Sequence, residues 1–153
     1  SEQENWLSQV LPADSTEPTW VFNGTQFFGG YHRYESVESE APGSFQRLLS
    51  QLRSLAAPVI FSSGDVHYSE IMKIEDSLLG FQTLELTSSA IHSPEADDLR
   101  PNRRRLFATK QNNFMIVKAA VAQAQVSIAV SIHGGRGNIF HSSQYEIKKA
   151  RKP

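Results

Sequence analysis

The sequence predicts an α/β chain, a mixed β-sheet layered with helices, that takes on α+β character toward its C-terminal end. Three observations predict this. An apolar strand, an amphipathic helix and a second apolar strand follow one another between Trp20 and Phe61, an order that favours a parallel pair joined by a right-handed crossover. From Ile71 onward, short strand-like runs are separated by turn signals, which favours antiparallel pairing. The composition, with 39% hydrophobic and 20% charged residues, is that of an ordinary globular domain with its own core.

Along the chain, Trp6, Leu7, Val10 and Leu11 recur at helical spacing between about Glu4 and Leu11, with Pro12 just past the end. Thr19 to Phe22 reads as a buried strand that stops at the turn signal Asn23-Gly24. Phe27 to Gly43 reads as an irregular loop with an aromatic and basic cluster, Tyr31, His32, Arg33 and Tyr34, and the acids Glu35, Glu38 and Glu40. It either lines a substrate cleft, with Glu35 or His32 assisting binding, or is an exposed polar loop. Ser44 is placed to cap a helix running to about Leu55, with Phe45, Leu48, Leu49, Leu52 and Leu55 on one face.

The chain is organised around Pro58 to Glu70. Pro58 to Phe61 is a short apolar run bounded by a proline and a Ser-Ser-Gly turn, which predicts a buried strand. Asp65 and His67 follow its C-terminal end, where ligands sit in open α/β sheets. In an extended segment two such residues point to one side, roughly 6.5 to 7 Å apart, which suits a carboxylate and an imidazole facing a common centre. An Asp after Gly also forms turns, and a lone His also serves as hydrogen-bonded filler. Parallel strands before Asn23 and Gly64 place Thr25, Gln26, Asp65 and His67 at one edge.

Beyond Glu70, Ile71 to Ile74 and Phe81 to Thr87 read as strands joined by a turn around Asp76 to Gly80. Ser88, Ser89 and His92 lie past the next strand end, where His92 faces the site or caps a turn. The segment from Pro94 to Lys110 combines Asp97-Asp98 with Arg100, Arg103, Arg104 and Arg105 and reads as a solvated loop or helix face, or as an anion-recruiting run. Asn113 to Val121, Gln125 to Ile132 and Asn138 to His141 then form an antiparallel meander, and a basic tail spans 148–153. His133 and His141 are assigned no chemistry.

Net charge of -1 supplies no argument for nucleic acid or an anionic membrane as partner. No run approaches a membrane span. The polar, acidic N-terminus does not resemble a signal peptide, and with no cysteine any metal is held by oxygen and imidazole ligands.

Ser63-Gly64-Asp65-Val66-His67-Tyr68-Ser69-Glu70 resembles the last metal-binding block of the alkaline phosphatase D (PhoD-like) family, within the calcineurin-like metallophosphoesterases. Leu84 to Ser89 with His92-Ser93, Asn23 to Gln26, and Phe45 to Leu49 resemble neighbouring segments of that family in the same order. The similarity spans roughly Asn5 to Val130. The family's earlier metal blocks, including an Asp-Asp-His-Asp-type segment, have no counterpart, and nothing before Trp6 supplies them.

The resemblance implies the C-terminal half of a metallophosphoesterase sandwich over 1–147, hydrolysing a phosphomonoester or phosphodiester with two or more divalent or trivalent metal ions. Asp65 and His67 would be metal ligands. Gln26, Glu70 and His92 would contact substrate or orient the ligands, Glu70 either bonding His67 or its neighbours or standing as a solvated strand-edge acid. No catalytic residue is independently assigned. The chain alone is expected to be inactive and to need the N-terminal half of the same domain as partner. The resemblance permits an exported protein. The rival is a non-catalytic module binding a partner where that half would dock, and a further alternative is nucleic-acid binding through Arg100 to Arg105.

Overall fold

The computed structural model describes residues 2–11, 14, 17–31, 34–92, 99–122 and 125–149. Pro12, His32, Arg33, Ser93, the Asp97-Asp98 pair, 123–124 and 150–153 lie outside them. Strands β1 (Thr19–Phe22), β2 (Val59–Ser63), β3 (Ser69–Ile74), β4 (Thr83–Thr87) and β5 (Arg105–Thr109) form one sheet in the order β1-β2-β4-β3-β5. β1, β2 and β4 run parallel, and β3 is antiparallel to both β4 and β5. Strands β6 (Asn113–Ala122), β7 (Gln125–Gly134) and β8 (Ile139–Lys148) form a separate antiparallel meander. The mixed sheet layered with helices, the parallel first pair and the terminal meander are as the sequence predicts, except that β8 continues well past the expected end at His141 and takes in Lys148.

Helix α1 (Glu2–Val10) buries none of its residues, and Trp6 and Val10 stay exposed; Arg47 ties it down by donating to Glu4 at 2.9 Å. The segment after β1 is not an irregular polar loop. Phe27 and Phe28 are buried, and a short helix α2 (Val37–Glu40) is capped by Ser36, whose Oγ accepts from the Ser39 N–H at 3.2 Å. Helix α3 (Pro42–Ser54), with Ala41 as its N-cap, starts three residues earlier than a Ser44 cap would have it. Pro42 occupies its first turn, where no N–H is needed.

Phe45, Leu49 and Leu52 are the buried face of α3. Phe45 meets the edge of Phe28 with ring centroids 5.1 Å apart, and Phe28 meets Phe61 of β2 at 4.9 Å. Each such ring or leucine contributes roughly 1.5–3 kcal/mol by leaving water. The other face of the sheet meets the meander. Ser69 donates to Asn113 at 2.7 Å, and Phe107 of β5 stacks on His141 of β8 at 4.1 Å. Val126, Ile128, Val130 and Ile132 alternate along β7 as its buried face and join the same core cluster. The protein is thus layered helix on sheet on sheet.

The turn expected around Asp76 to Gly80 is a one-turn helix, α4 (Asp76–Leu79), closed by Gly80 at φ 81°. The left-handed conformation suits glycine, and a Cβ there would meet nothing within 4 Å. Gly80→Ala is therefore expected to cost about 1 kcal/mol through backbone conformation alone, read as a lower urea midpoint with an unchanged slope.

The segment expected as a solvated basic loop contains a strand, β5. Arg104 chelates two carboxylates, donating to Glu38 at 2.7 and 3.1 Å and to Glu75 at 2.9 and 2.7 Å. Hydrogen bonding to Arg104 holds the Glu75 carboxyl below its ordinary range against the opposing effect of partial burial. With Arg104 and Arg105 paired inside, the nucleic-acid reading loses two of its four cations. Among the described residues no helix is long and apolar enough to cross a membrane.

Candidate functional site

The parallel run of β1, β2 and β4 brings three strand ends to one edge of the sheet, and antiparallel β3 starts there. Three loops therefore meet: 23–26, 64–68 and 88–92. They are stitched by backbone bonds, Gly64 N–H to Gly24 O at 3.0 Å and Ser88 N–H to Ser63 O at 3.0 Å. Gly64 suits this approach, since a Cβ on it would lie 3.2 Å from the Gly24 carbonyl oxygen, tighter than an ordinary contact. Thr25 donates to the Glu35 carbonyl at 3.1 Å, closing the first loop on the segment before α2.

Asp65 and His67 both occupy this edge and both are exposed. Their geometry differs from the extended i, i+2 pair expected from the sequence. Asp65 has φ 70° and His67 φ 59°, so both are left-handed, and the Val66 N–H turns back to Gly64 O at 3.0 Å. Alternation along a strand therefore does not set where their side chains point. Two non-glycine residues in this region cost on the order of 1–3 kcal/mol each, and such conformations cluster at functional sites. The His67 N–H donates to Ser89 Oγ at 3.2 Å, linking the second loop to the third. His92 is exposed at the end of the described part of that third loop.

Beneath the loops lies a buried polar frame that the sequence did not reveal. Glu70 is fully buried, not a solvated strand-edge acid. Its carboxylate accepts from Gln26 Nε2 at 2.9 Å, Tyr31 Oη at 3.1 Å, Asn102 Nδ2 at 3.0 Å and Arg105 Nε. His67 is not among its partners in the described residues. Gln26, 1% exposed, donates its second amide hydrogen to Thr87 Oγ1 at 3.1 Å, and its Oε1 accepts from Tyr31 at 2.9 Å. Both hydrogens of the Gln26 amide are thus engaged inside, which leaves none for a phosphoryl oxygen. Arg105 Nη2 is buried without a hydrogen-bond partner among the described residues.

A second buried carboxylate lies one strand over. Glu85 of β4 accepts from the Phe27 and Phe28 N–H groups at 2.7 and 2.9 Å and from Ser63 Oγ at 2.7 Å. Burial pushes its pKa up to about 7 although these bonds favour the ionised form. Tyr31 and Tyr68 are also raised, by burial first and by the Glu70 charge second, so both remain phenols at neutral pH.

Tyr31 and Asn102 line, with Glu38 and Arg104, an open cleft of about 750 Å³ that neither Asp65 nor His67 borders. A metal at the sheet edge would find one carboxylate and one imidazole, the right chemistry for a hard or borderline cation. Among the described residues no three His, Asp or Glu side chains converge to hold one. Asp65 and His67 have the donor chemistry of two such ligands, and two donors alone do not close a site.

No family model matches the sequence, and no curated protein matches it. The fold is similar to that of a solved structure of PhoD, with TM-score 0.52 and 17% identity, over 94% of this chain and 35% of that one. The likeness is one of fold, and this chain spans about a third of that chain's length.

Proposed function

We propose that this chain is the C-terminal part of a metal-dependent phosphoesterase of the PhoD-like type, acting on a phosphomonoester or phosphodiester. The observation that carries the reading is the pair Asp65 and His67, an exposed carboxylate and imidazole on a left-handed loop at the carboxyl edge of a mixed sheet. That edge is where open α/β sheets bind ligands. Asp65 and His67 would hold the metal, and further ligands would come from the rest of the domain. Bound there, the metal would supply Lewis-acid polarisation of a phosphoryl oxygen and acidify a water molecule.

This chain's own residues then have separate roles. Asp65 and His67 bind. Ser89 orients the His67 backbone. Gln26 and Glu70 act from below as parts of the frame, and His92 is within the loop that would face substrate. The partner in this reading is the N-terminal half of the same domain. It would cover the outer edge of β1, where Trp20 stacks on Phe22 with centroids 6.1 Å apart and Phe22 is 72% exposed.

The test uses the full-length protein titrated with Mn²⁺ or Zn²⁺ and assayed on a monoester and a diester. Asp65→Asn and His67→Ala are each expected to weaken metal binding roughly tenfold or more, at least as much as losing an outer-shell partner does, and to reduce hydrolysis with it. Unchanged hydrolysis in both variants would remove these residues from the site. The exposed ring of Phe22, stacked on half-buried Trp20, also favours a second reading, a non-catalytic module binding a protein along the β1 edge. That reading predicts a full-length wild type that hydrolyses neither ester with metal present.

A further inference from the structure

We infer that Tyr68 and Tyr31 form a positioning device that holds Asp65 and His67 in their left-handed conformations; the inference rests on reading those two residues as metal ligands. Tyr31 Oη lies 2.9 Å from Gln26 Oε1, 3.1 Å from Glu70 Oε2 and 3.0 Å from Tyr68 Oη. Gln26 Oε1 and the Glu70 carboxylate can only accept, so the single Tyr31 proton belongs to them. Tyr68 is therefore the donor to Tyr31. Its hydroxyl is committed in one direction, and the chain of bonds runs from Tyr68 through Tyr31 to Gln26 and Glu70.

Tyr68 is the residue directly after His67. Its ring is buried, 7% exposed, beneath a loop whose tips are exposed. Two adjacent-but-one residues in a costly backbone region persist only where their surroundings over-determine them. Upstream the loop is fixed by Gly64 on Gly24, and at His67 by an exposed bond to Ser89. Downstream the restraint is the Tyr68 ring with its hydroxyl bond, followed by Ser69 on Asn113. The Tyr68 hydroxyl ties this loop to the 26–31 segment that also supplies Gln26. Glu70, Gln26 and Tyr31 thus act on His67 through Tyr68, and not by touching its imidazole.

The test compares wild type, Tyr68→Phe and Tyr31→Phe in the full-length protein. Each variant keeps its ring and loses only an oxygen, and amide dispersion along β7 checks that the fold is retained. Two quantities are read. The first is the strong intraresidue amide-to-Hα NMR cross-peak that marks positive φ at Asp65 and His67 in the metal-free protein. The second is the Kd for Zn²⁺ alone.

Both variants are expected to weaken the two cross-peaks and to raise Kd about tenfold, the lower range for an outer-shell substitution. Cross-peaks unchanged in both variants would overturn the inference whatever the Kd does. Weakened cross-peaks with an unchanged Kd, in a wild type that binds Zn²⁺, would overturn it as well. A wild type that binds no Zn²⁺ but loses its cross-peaks in the variants upholds the positioning device and removes the metal reading instead.

Discussion

Arg105→Met is expected to destabilise the protein by about 3–5 kcal/mol, the cost of stranding a buried charge by removing its partner. Glu70 has no exposed surface, and the Arg105 side chain is 18% exposed. Without the guanidinium, the carboxylate keeps its bonds to Gln26, Tyr31 and Asn102 but loses the opposing charge beside it. The double variant Glu70→Gln/Arg105→Met is expected to be more stable than Arg105→Met alone, because the charge that was stranded is gone. Urea unfolding of the four members of this cycle measures the coupling. A single Arg105→Met variant within experimental error of wild type would mean that Glu70 is held by its neutral donors alone.

The second large effect is a loss of stability as pH rises, set by Glu85. Its folded pKa of about 7 stands above the ordinary 4.5. Because the folded pKa is raised, the folded state keeps a proton that the unfolded chain releases. The contribution is fully present below pH 4.5 and is lost as pH climbs to about 7. Over that window the loss amounts to roughly 3 kcal/mol, at 1.36 kcal/mol for each pH unit. Burial is the cause, reinforced by the negative charge of Glu70 and opposed by Ser63, Phe27 and Phe28. Glu85→Gln carries no titrating group, so its unfolding midpoint should lack this part of the pH dependence. An identical pH profile in wild type and Glu85→Gln would show that the three hydrogen bonds outweigh burial.

How much was legible in the sequence depended on where each residue finds its partners. β1 and the start of β2 were readable as strands because a short apolar run between turn formers has few other solutions, but β1 is half-buried with Phe22 exposed where the sequence predicts a buried strand, because it is the edge strand of the sheet. The α3 stripe of Phe45, Leu49 and Leu52 was readable from its period, while its true start at Pro42 was obscured by a serine that looked like a cap. β5 was missed because three consecutive arginines read as solvated. Arg104 and Arg105 are inside only because Glu38 and Glu70, 66 and 35 residues away, meet them there.

The sequence places Glu85 only as a residue of the strand expected over Phe81 to Thr87. The Phe27 and Phe28 amides that receive its carboxylate come from 58 and 57 residues earlier. Asp65 and His67 were singled out by residue type and by their place after a strand. Their left-handed backbone was not predictable, since neither residue demands it and only the surrounding bonds impose it.

By itself the sequence determined the mixed architecture, the parallel first pair, the antiparallel meander and the edge at which Asp65 and His67 sit. These follow from local periodicity, turn chemistry and strand order, which are properties of neighbouring residues. The tertiary structure alone decided that Glu70 and Glu85 are buried, that Gln26 belongs to the frame, and that two arginines are interior. Each of those outcomes depends on whether a distant donor arrives to replace water, and a polar side chain carries no mark of its partner until the chain has folded.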